Sequence, residues 1–191
     1  MPRTEEQFKE LRDKKRIHIM SCALDLFAEK GFDSTSINMI AKRASISKGL
    51  IYNYFESKED LIKVIVHNGL EKFFTEFDPN KDGFLTDEEF IYFIDKTFDI
   101  IKKNLQFWKL YFMVVSQPKV MKLVEKKLME VVIPFLETMT KFYENKGYDN
   151  PMVHARLFGA MLDGVSLNFM MDPDNFPVEE TKKIIIEKFI K

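Results

Sequence analysis

Residues 17–61 contain the stretch that decides the fold: IHIMSCALDLFAEKGF at 17–32, TSINMIA at 35–41 and SKGLIYNYFESK at 47–58. Apolar residues recur every three or four positions in the first segment, which predicts an amphipathic helix that ends at Gly31. Thr35 or Ser36 can cap a second, short helix, and Ser47 can cap a third. Two short helices joined by a tight turn at this spacing predict a helix-turn-helix, which places a helix end in the DNA major groove.

The same three-and-four spacing continues through the rest of the chain, with almost no strand-like alternation. The predicted fold class is therefore all-α, with about nine helices. The predicted domains are a three-helix DNA-binding head at residues 1–60 and a helical domain for ligand binding and dimerisation at residues 61–191. We expect the fourth helix to run from Ser57 to about Phe77, and Pro134 to kink the seventh.

The charge balance is nearly neutral, with 29 Lys and Arg against 30 Asp and Glu. The basic groups of a DNA-binding protein of this composition must be local. Basic residues near the predicted head include Arg12, Lys14, Lys15, Arg16, Lys42, Arg43, Lys48 and Lys58. The single cysteine, Cys22, excludes an intrachain disulfide and fits a reducing compartment. No apolar run approaches the ~20 residues of a membrane span and no signal-peptide core is seen, so we expect a cytoplasmic protein without a membrane partner.

Three residues of the third predicted helix have the chemistry needed for DNA contact. Gly49 lacks a side chain, so the helix can approach the duplex closely. Lys48 can reach a phosphate or the edge of a guanine, and Tyr52 offers a hydroxyl to phosphate and a ring to a thymine methyl. The helix starts at Ser36 and Lys58 also favour phosphate, through free N–H groups and the helix dipole.

The order and wording of these segments resemble the TetR family of bacterial transcriptional regulators. The resemblance is carried by residues 23–32, 35–41 and 47–58, about the first third of the chain. It implies contacts to double-stranded operator DNA from Thr35, Ser36, Ser47, Lys48, Gly49, Tyr52, Asn53 and Lys58. It also implies a homodimer on a palindromic operator, a small apolar effector that releases it, and repression as the default. Ser45 departs from the family, which usually has glycine there, and a left-handed serine costs roughly 1 kcal/mol.

A second motif, outside the family pattern, is the loop DPNKDGFLTDEE at residues 78–89. Oxygen-bearing side chains stand at loop positions 1, 3, 5, 9 and 12, and Gly83 stands at position 6, as in an EF-hand calcium loop. The predicted Ca²⁺ ligands are Asp78, Asn80, Asp82, the Phe84 carbonyl, Thr86 and Glu89. An ordinary helix connection is the competing interpretation, because Thr86 and Glu89 also form a capping box. A lone loop of this kind would be weak or purely structural.

The C-terminal domain is rich in large apolar side chains, and the chain has 19 Phe and 11 Met. Such side chains fill irregular interiors, and a cavity among them would suit a bulky apolar ligand. The predicted lining residues are Phe107, Trp108, Tyr111, Phe112, Met139, Phe142, Phe158 and Met161. A packed core is the alternative interpretation for each. The last two helices are apolar on more than one face, and the dimer interface expected there comprises Leu157, Ala160, Gly164, Val165, Ile185 and Phe189.

Three functions stay open at this point. The chain is a repressor released by an apolar effector, a calcium-responsive regulator in which loop 78–89 sets the geometry of the DNA-binding heads, or an EF-hand module that binds a protein partner. The combination of Lys48, Gly49, Tyr52 and Lys58 argues against the third. No nucleophile, phosphate-binding loop or metal-binding histidine pair points to catalysis, so we expect no enzymatic activity.

Overall fold

The computed structural model of the chain describes residues 4–74, 77–78, 80 and 82–190. Within these ranges the chain is helical and contains no strand, which confirms the predicted fold class. The nine helices described are α1 (Glu5–Lys30), α2 (Ile37–Arg43), α3 (Lys48–Tyr52), α4 (Lys58–Phe74), α5 (Asp87–Lys103), α6 (Leu105–Val115), α7 (Pro118–Asn145), α8 (Pro151–Met171) and α9 (Val178–Phe189). Among them, none combines the length and apolar character needed to cross a membrane.

α1 ends at Lys30, directly before Gly31, where its end was predicted. α4 is described as far as Phe74, and the stretch before its predicted end near Phe77 includes residues 75 and 76, which lie outside the described ranges. α7 continues as a single helix through Pro134. Proline removes one backbone donor there without ending the helix.

The helices divide into two compact units. The first comprises Met1–Asn68 and Leu110–Glu125, and the second comprises Gly69–Lys109 and Lys126–Lys191. The boundary predicted at residue 60 thus lies inside the first unit. Residues around the α6–α7 junction also belong to the first unit, together with α1, α2 and α3, which was not predicted.

One side of α1 supplies much of the core of the first unit. Ile19, Ala23 and Phe27 recur every four residues along α1 and are fully buried. Ile40 of α2 and Ile51 of α3 are also fully buried. The buried apolar side chains of each short helix determine which side of that helix is left for solvent.

Phenylalanine rings form the core of the second unit. The ring of Phe90 in α5 stacks on Phe142 of α7 at a centroid distance of 5.2 Å and lies 4.7 Å from Phe158 of α8. Phe135 of α7 lies 4.5 Å from Phe77. Aromatic pairs at these distances contribute packing beyond their buried area. Many of the phenylalanine side chains therefore pack α5, α7 and α8 against one another.

The turn between α2 and α3 adopts the left-handed conformation expected for the family's glycine. Ser45 has φ of 53°. The turn is closed by hydrogen bonds from Ser45 N to Lys42 O (3.2 Å) and from Ile46 N to Ala41 O (3.0 Å). These two bonds satisfy carbonyl groups at the end of α2. The turn thus forms with serine at this position, at the conformational cost of a left-handed residue.

Replacing Ser45 with glycine is expected to stabilise the protein by about 1 kcal/mol, because glycine adopts the left-handed region without the clash that a Cβ atom causes. Ser45→Ala is the matched control, since it removes the hydroxyl and keeps the Cβ atom. Urea unfolding of both variants provides the measurement. An equal gain for glycine and alanine would contradict backbone strain at this position.

Candidate nucleic-acid interface

The exposed side of α3 consists of residues predicted to contact DNA. Ser47 caps the helix by accepting a hydrogen bond from Leu50 N (3.2 Å). Ile51 is fully buried and fixes the rotation of the helix about its axis. The side chains that this rotation leaves exposed are those of Ser47, Lys48, Tyr52 and Asn53, with Gly49 exposed beside them.

The surface of the protein is open beside Gly49 at the start of α3. A Cβ atom built on Gly49 would have no other atom within 4 Å, so packing inside the protein does not require glycine there. Lys48 Nζ lies 6.0 Å from the centre of the Tyr52 ring, and Tyr52 is 47% exposed. The ammonium and the phenol hydroxyl are therefore both available to phosphates or base edges.

α2 adds a second exposed polar side to the head. Ser36 caps α2 by accepting a hydrogen bond from Met39 N (3.3 Å), as predicted. Asn38 and Lys42 lie one turn apart on this helix and are both exposed. No role was assigned to Asn38 from the sequence. Its spacing of four residues from Lys42 was the available signal.

Arg43 is held by a neighbour on α1. Its guanidinium makes two hydrogen bonds to the Glu29 carboxylate, at 3.1 and 2.7 Å. The same pair lowers the pKa of Glu29 and raises the pKa of Arg43. Arg43 is therefore less available to a phosphate than Lys42 or Lys48.

Two residues predicted to contact DNA have a different role in the structure. Thr35 is 1% exposed, and its hydroxyl donates to the carbonyls of Leu26 (3.1 Å) and Gly31 (2.9 Å). The Lys58 ammonium donates to the carbonyls of Phe32 and Thr35, both at 2.8 Å. These groups satisfy carbonyls at and just beyond the end of α1. Both side chains therefore have partners within the head, and their contact with DNA stays a prediction.

Gln117, to which no role was assigned from the sequence, ties the α6–α7 junction to the end of α1. Its Oε1 atom accepts a hydrogen bond from Phe32 N (2.9 Å), and its Nε2 atom donates one to Phe27 O (3.0 Å). Lys119 forms an ion pair with Asp33 in the same region. One side chain thus satisfies a donor and an acceptor that lie 85 and 90 residues away in the chain.

The polar atoms of two predicted pocket residues are occupied by backbone carbonyls. In the first unit, the hydroxyl of Tyr111 donates to Val66 O (3.0 Å), and burial raises its pKa. In the second unit, Trp108 Nε1 donates to Ile100 O (3.0 Å). Both side chains therefore have a structural role, whether or not a ligand binds.

The remaining predicted pocket residues differ in burial. Those that are buried are Met139, Phe142 and Phe158. Those that are half-buried are Phe107, Phe112 and Met161. Because Phe142 and Phe158 both pack on Phe90, part of this set is packed core. A ligand cavity among these residues stays a prediction.

The predicted dimer residues on α8 and α9 also divide. Leu157, Ala160 and Gly164 are exposed, whereas Val165 and Phe189 are half-buried. Ile185 is only 4% exposed, and its neighbour Ile184 is 58% exposed. The rotation of α9 is set by residues such as Lys182, whose ammonium lies 3.1 Å from Asp95 of α5. Ile185 is therefore buried within its own protomer, and the dimer interface predicted for this set of residues stays a prediction.

Side-chain oxygen atoms in the first half of loop 78–89 accept hydrogen bonds from backbone N–H groups of the same loop. Asp78 Oδ2 accepts a hydrogen bond from Gly83 N (3.0 Å), and Gly83 has φ of 75°. Asn80 Oδ1 accepts one from Asp82 N (3.0 Å). The second oxygen of Asp78, Oδ1, is buried and has no hydrogen-bond partner among the described residues. This half of the loop presents oxygen atoms of the kind that calcium prefers.

The second half of the loop has the competing arrangement. Glu89 Oε2 accepts hydrogen bonds from Thr86 N (2.9 Å) and Thr86 Oγ1 (3.0 Å), which forms the capping box of α5. Phe84, whose carbonyl is a predicted ligand, is 58% exposed. Across the described ranges, no group of three or more His, Cys, Asp and Glu side chains is placed to hold a metal ion.

A helix-turn-helix with an exposed recognition helix defines a class of DNA-binding head. In comparison with known proteins, residues 19–65 match the model of bacterial regulatory proteins of the tetR family. The uncharacterized HTH-type transcriptional regulator YuxN of Bacillus subtilis is 45% identical over 65 residues, which are 34% of this chain and 22% of that protein. The matched region therefore spans about a fifth of YuxN and lies in the head.

Solved structures resemble the chain over nearly its whole length. The regulator FadR of Bacillus subtilis, in complex with stearoyl-CoA, has a TM-score of 0.72 at 16% identity, over 92% of this chain and 97% of that one. NalD, the secondary repressor of the MexAB-OprM efflux pump in Pseudomonas aeruginosa, has a TM-score of 0.72 at 18% identity, over 93% and 96%. Residues 19–65 of the head thus resemble the tetR family, and the chain has the fold of these two solved structures.

Replacing Gln117 with alanine is expected to destabilise the protein by about 1–3 kcal/mol, because Phe32 N loses its partner in a partly buried position. Gln117→Glu keeps the acceptor but places an oxygen against the Phe27 carbonyl, so it is expected to destabilise as well. Urea unfolding followed by circular dichroism provides the measurement. Lys119→Ala, which removes an exposed ion pair, serves as the control and should change stability by about 1 kcal/mol at most. Equal effects of Gln117→Ala and Lys119→Ala would contradict the role assigned to the amide.

Proposed function

We propose that this protein is a DNA-binding transcriptional regulator that acts as a repressor. The observation that carries the proposal is the side of α3 on which Lys48, Gly49 and Tyr52 are exposed, opposite the buried Ile51. The N-terminal residues of such a helix reach base edges in the major groove. NalD, a repressor of the same fold, supports repression as the direction of control. The proposal includes no catalytic step. Because the protein would bind operator DNA, we propose that it acts in the cytoplasm.

The proposal includes a homodimer on a two-fold axis. A single head reads one half-site, and two heads would read a palindrome with half-sites about 34–36 Å apart or a multiple of that distance. Large apolar side chains on α8 support a partner helix there, because Leu157 is 55% exposed and Met171 is 74% exposed.

We assign the binding of a small apolar effector to the second unit. Its interior consists largely of aromatic and methionine side chains. The Tyr143 hydroxyl is fully buried and has no hydrogen-bond partner among the described residues, which suits it to a polar group of a ligand. The complex of FadR with stearoyl-CoA supports an acyl chain as the class of ligand.

Chain continuity offers a route by which an effector could act on the head. α6 begins in the second unit and ends in the first, and α7 begins in the first unit and continues into the second. Gln117 lies at the junction of these two helices and holds the end of α1. A ligand that favours a shifted α6 or α7 would therefore disfavour the head arrangement that Gln117 stabilises.

Replacing Lys48 with alanine is expected to weaken operator binding by about tenfold or more, because one cationic contact to a base or phosphate is lost from each head. The measurement is fluorescence anisotropy with the intergenic DNA beside the protein's own gene, over a series of salt concentrations. If Lys48 contacts phosphate, the slope of log K against log salt should decrease by about one per head.

Lys102→Ala is the matched control for this experiment. It removes the same charge from an exposed position in the second unit and should leave operator affinity unchanged. Lys58→Ala should instead lower the stability of the head, because the Phe32 and Thr35 carbonyls lose their donor. Equal losses of affinity for Lys48→Ala and Lys102→Ala would contradict the proposed interface.

In the same assay, stearoyl-CoA should release the DNA. The fluorescence emission of Trp108, the single tryptophan, should change when the ligand binds.

Calcium binding at loop 78–89 is the second candidate function. The observation that favours it is Asp78 Oδ1, an oxygen that is buried without a hydrogen-bond partner at the first ligand position. The donor set fits a hard cation, since it consists of carboxylate, amide, hydroxyl and backbone oxygens. Glu89 would have to exchange its contacts with Thr86 for the ion. Such a site joins α4 to α5 and would, as a further step of the proposal, set the geometry of the heads.

Glu89→Gln separates calcium binding from folding, because glutamine preserves a capping box while removing the bidentate carboxylate. We expect calorimetry to detect calcium binding by the unaltered protein, with a dissociation constant on the order of 0.1–1 mM for a lone loop. Glu89→Gln should abolish the heat of binding, whereas Glu88→Gln, at the adjacent carboxylate, should preserve it. No heat at millimolar calcium for the unaltered protein would exclude the site.

A further inference from the structure

α8 has two apolar sides, and only one of them is covered within the protomer. Ala155, Phe158 and Phe169 lie on the buried side. On the other side, an exposed stripe is formed by Val153, Leu157, Ala160, Gly164, Leu167 and Met171. The intervals along this stripe alternate between four and three residues. That is the seven-residue repeat by which one helix packs against another.

The exposure of this stripe is large for a protein surface. Val153 is 62% exposed and Leu167 is 45% exposed, and both belong to the same continuous row. A Cβ atom built on Gly164 would have no other atom within 4 Å, so the surface is open at that point. Contiguous apolar surface of this kind is typical of a site where another chain packs.

Two charged residues border the stripe on one flank. Arg156 and Asp163 are seven residues apart, so they occupy the same position in successive repeats and project to the same side of the row. Both are exposed, and neither has an ion pair within the part of the protomer that the structure describes. Although the Asp163 carboxyl is exposed, surrounding atoms reduce its hydration and raise its pKa. A cation brought beside this carboxylate would therefore be favourable.

The flank that carries Arg156 and Asp163 is complementary in charge to the same flank of a second copy of the chain. In two antiparallel helices related by a two-fold axis, each flank faces the same flank of the partner. An axis midway between residues 156 and 163 places Arg156 opposite Asp163 of the partner subunit, and Asp163 opposite the partner's Arg156. Ala160, with its small side chain, then lies at the closest approach of the helices. A parallel arrangement would instead place like charges opposite each other.

We infer that the exposed stripe of α8 packs against α8 of a second copy of this chain, antiparallel and centred at residues 159–160, with two Arg156–Asp163 ion pairs that select this register and this partner. The inference rests on the proposed homodimer and specifies how it is built. Charged residues that flank a helix–helix seam set partner choice and orientation more than raw affinity. The ion pairs therefore favour association with a second copy of this chain over association with related chains that carry other charges at these positions.

Charge reversal tests the inference. In a dimer of the Arg156→Asp variant, an aspartate lies opposite each Asp163. In a dimer of the Asp163→Arg variant, an arginine lies opposite each Arg156. Each single variant should therefore weaken self-association by about tenfold or more, because like charges repel. An equimolar mixture of the two variants should restore a dimer, because each of its two pairs then joins opposite charges. The double variant Arg156→Asp with Asp163→Arg should dimerise with itself and not with the unaltered chain.

Native mass spectrometry and sedimentation velocity distinguish these species, and circular dichroism checks that each variant is folded. Single variants that dimerise as tightly as the unaltered chain, or a mixture that stays monomeric, would overturn the Arg156–Asp163 register. If the unaltered chain is itself monomeric at micromolar concentration, the homodimer of the proposed function fails together with it. A dimer that binds the operator but ignores every charge change would leave the proposed function standing and refute the register alone.

Discussion

The structure of the DNA-binding head depends on satisfying the backbone groups where α1 ends. The last carbonyls of a helix and the amides that follow it have no helical partner, and burying them unpaired is costly. Here the chain turns at Gly31, with φ of 81°, and its polar groups are met from three directions. Thr35 bonds within the turn, Lys58 reaches it from α4, and Gln117 reaches it from the α6–α7 junction. The end of α1 is thus the place where separate parts of the first unit are joined.

This arrangement explains why the first unit includes residues from the middle of the chain. A three-helix head alone would leave Phe32 N without the acceptor that Gln117 supplies. The first turn of α7 cannot move away from the head unless both bonds of the Gln117 amide are broken or the end of α1 moves with it. The contact can therefore make the position of α1 sensitive to that of α7. Polar contacts suit this role because they are directional, whereas apolar packing tolerates small sliding movements.

Local patterns predict the helices and the recognition surface, but long-range polar contacts are not visible in them. The nine helices, the caps at Ser36 and Ser47 and the strained turn at Ser45 all depend on residues within a few positions of each other. Thr35 and Lys58 have the chemistry of phosphate contact, and only the fold shows that their polar atoms are used inside the head. Gln117 has no local signal, because its partners are 85 and 90 residues away. In α9, the sequence likewise does not show which of the neighbouring residues Ile184 and Ile185 is buried, because this depends on how the helix packs.

The central claim, that α3 of a two-fold dimer reads a specific DNA sequence, is tested most directly by selecting binding sites from random double-stranded DNA with the purified protein. The predicted result is enrichment of an inverted repeat whose half-sites are separated by one helical turn, about 34–36 Å, or a multiple of it. The claim would be contradicted if no sequence were enriched, or if the enriched sequence were a single site without an inverted repeat.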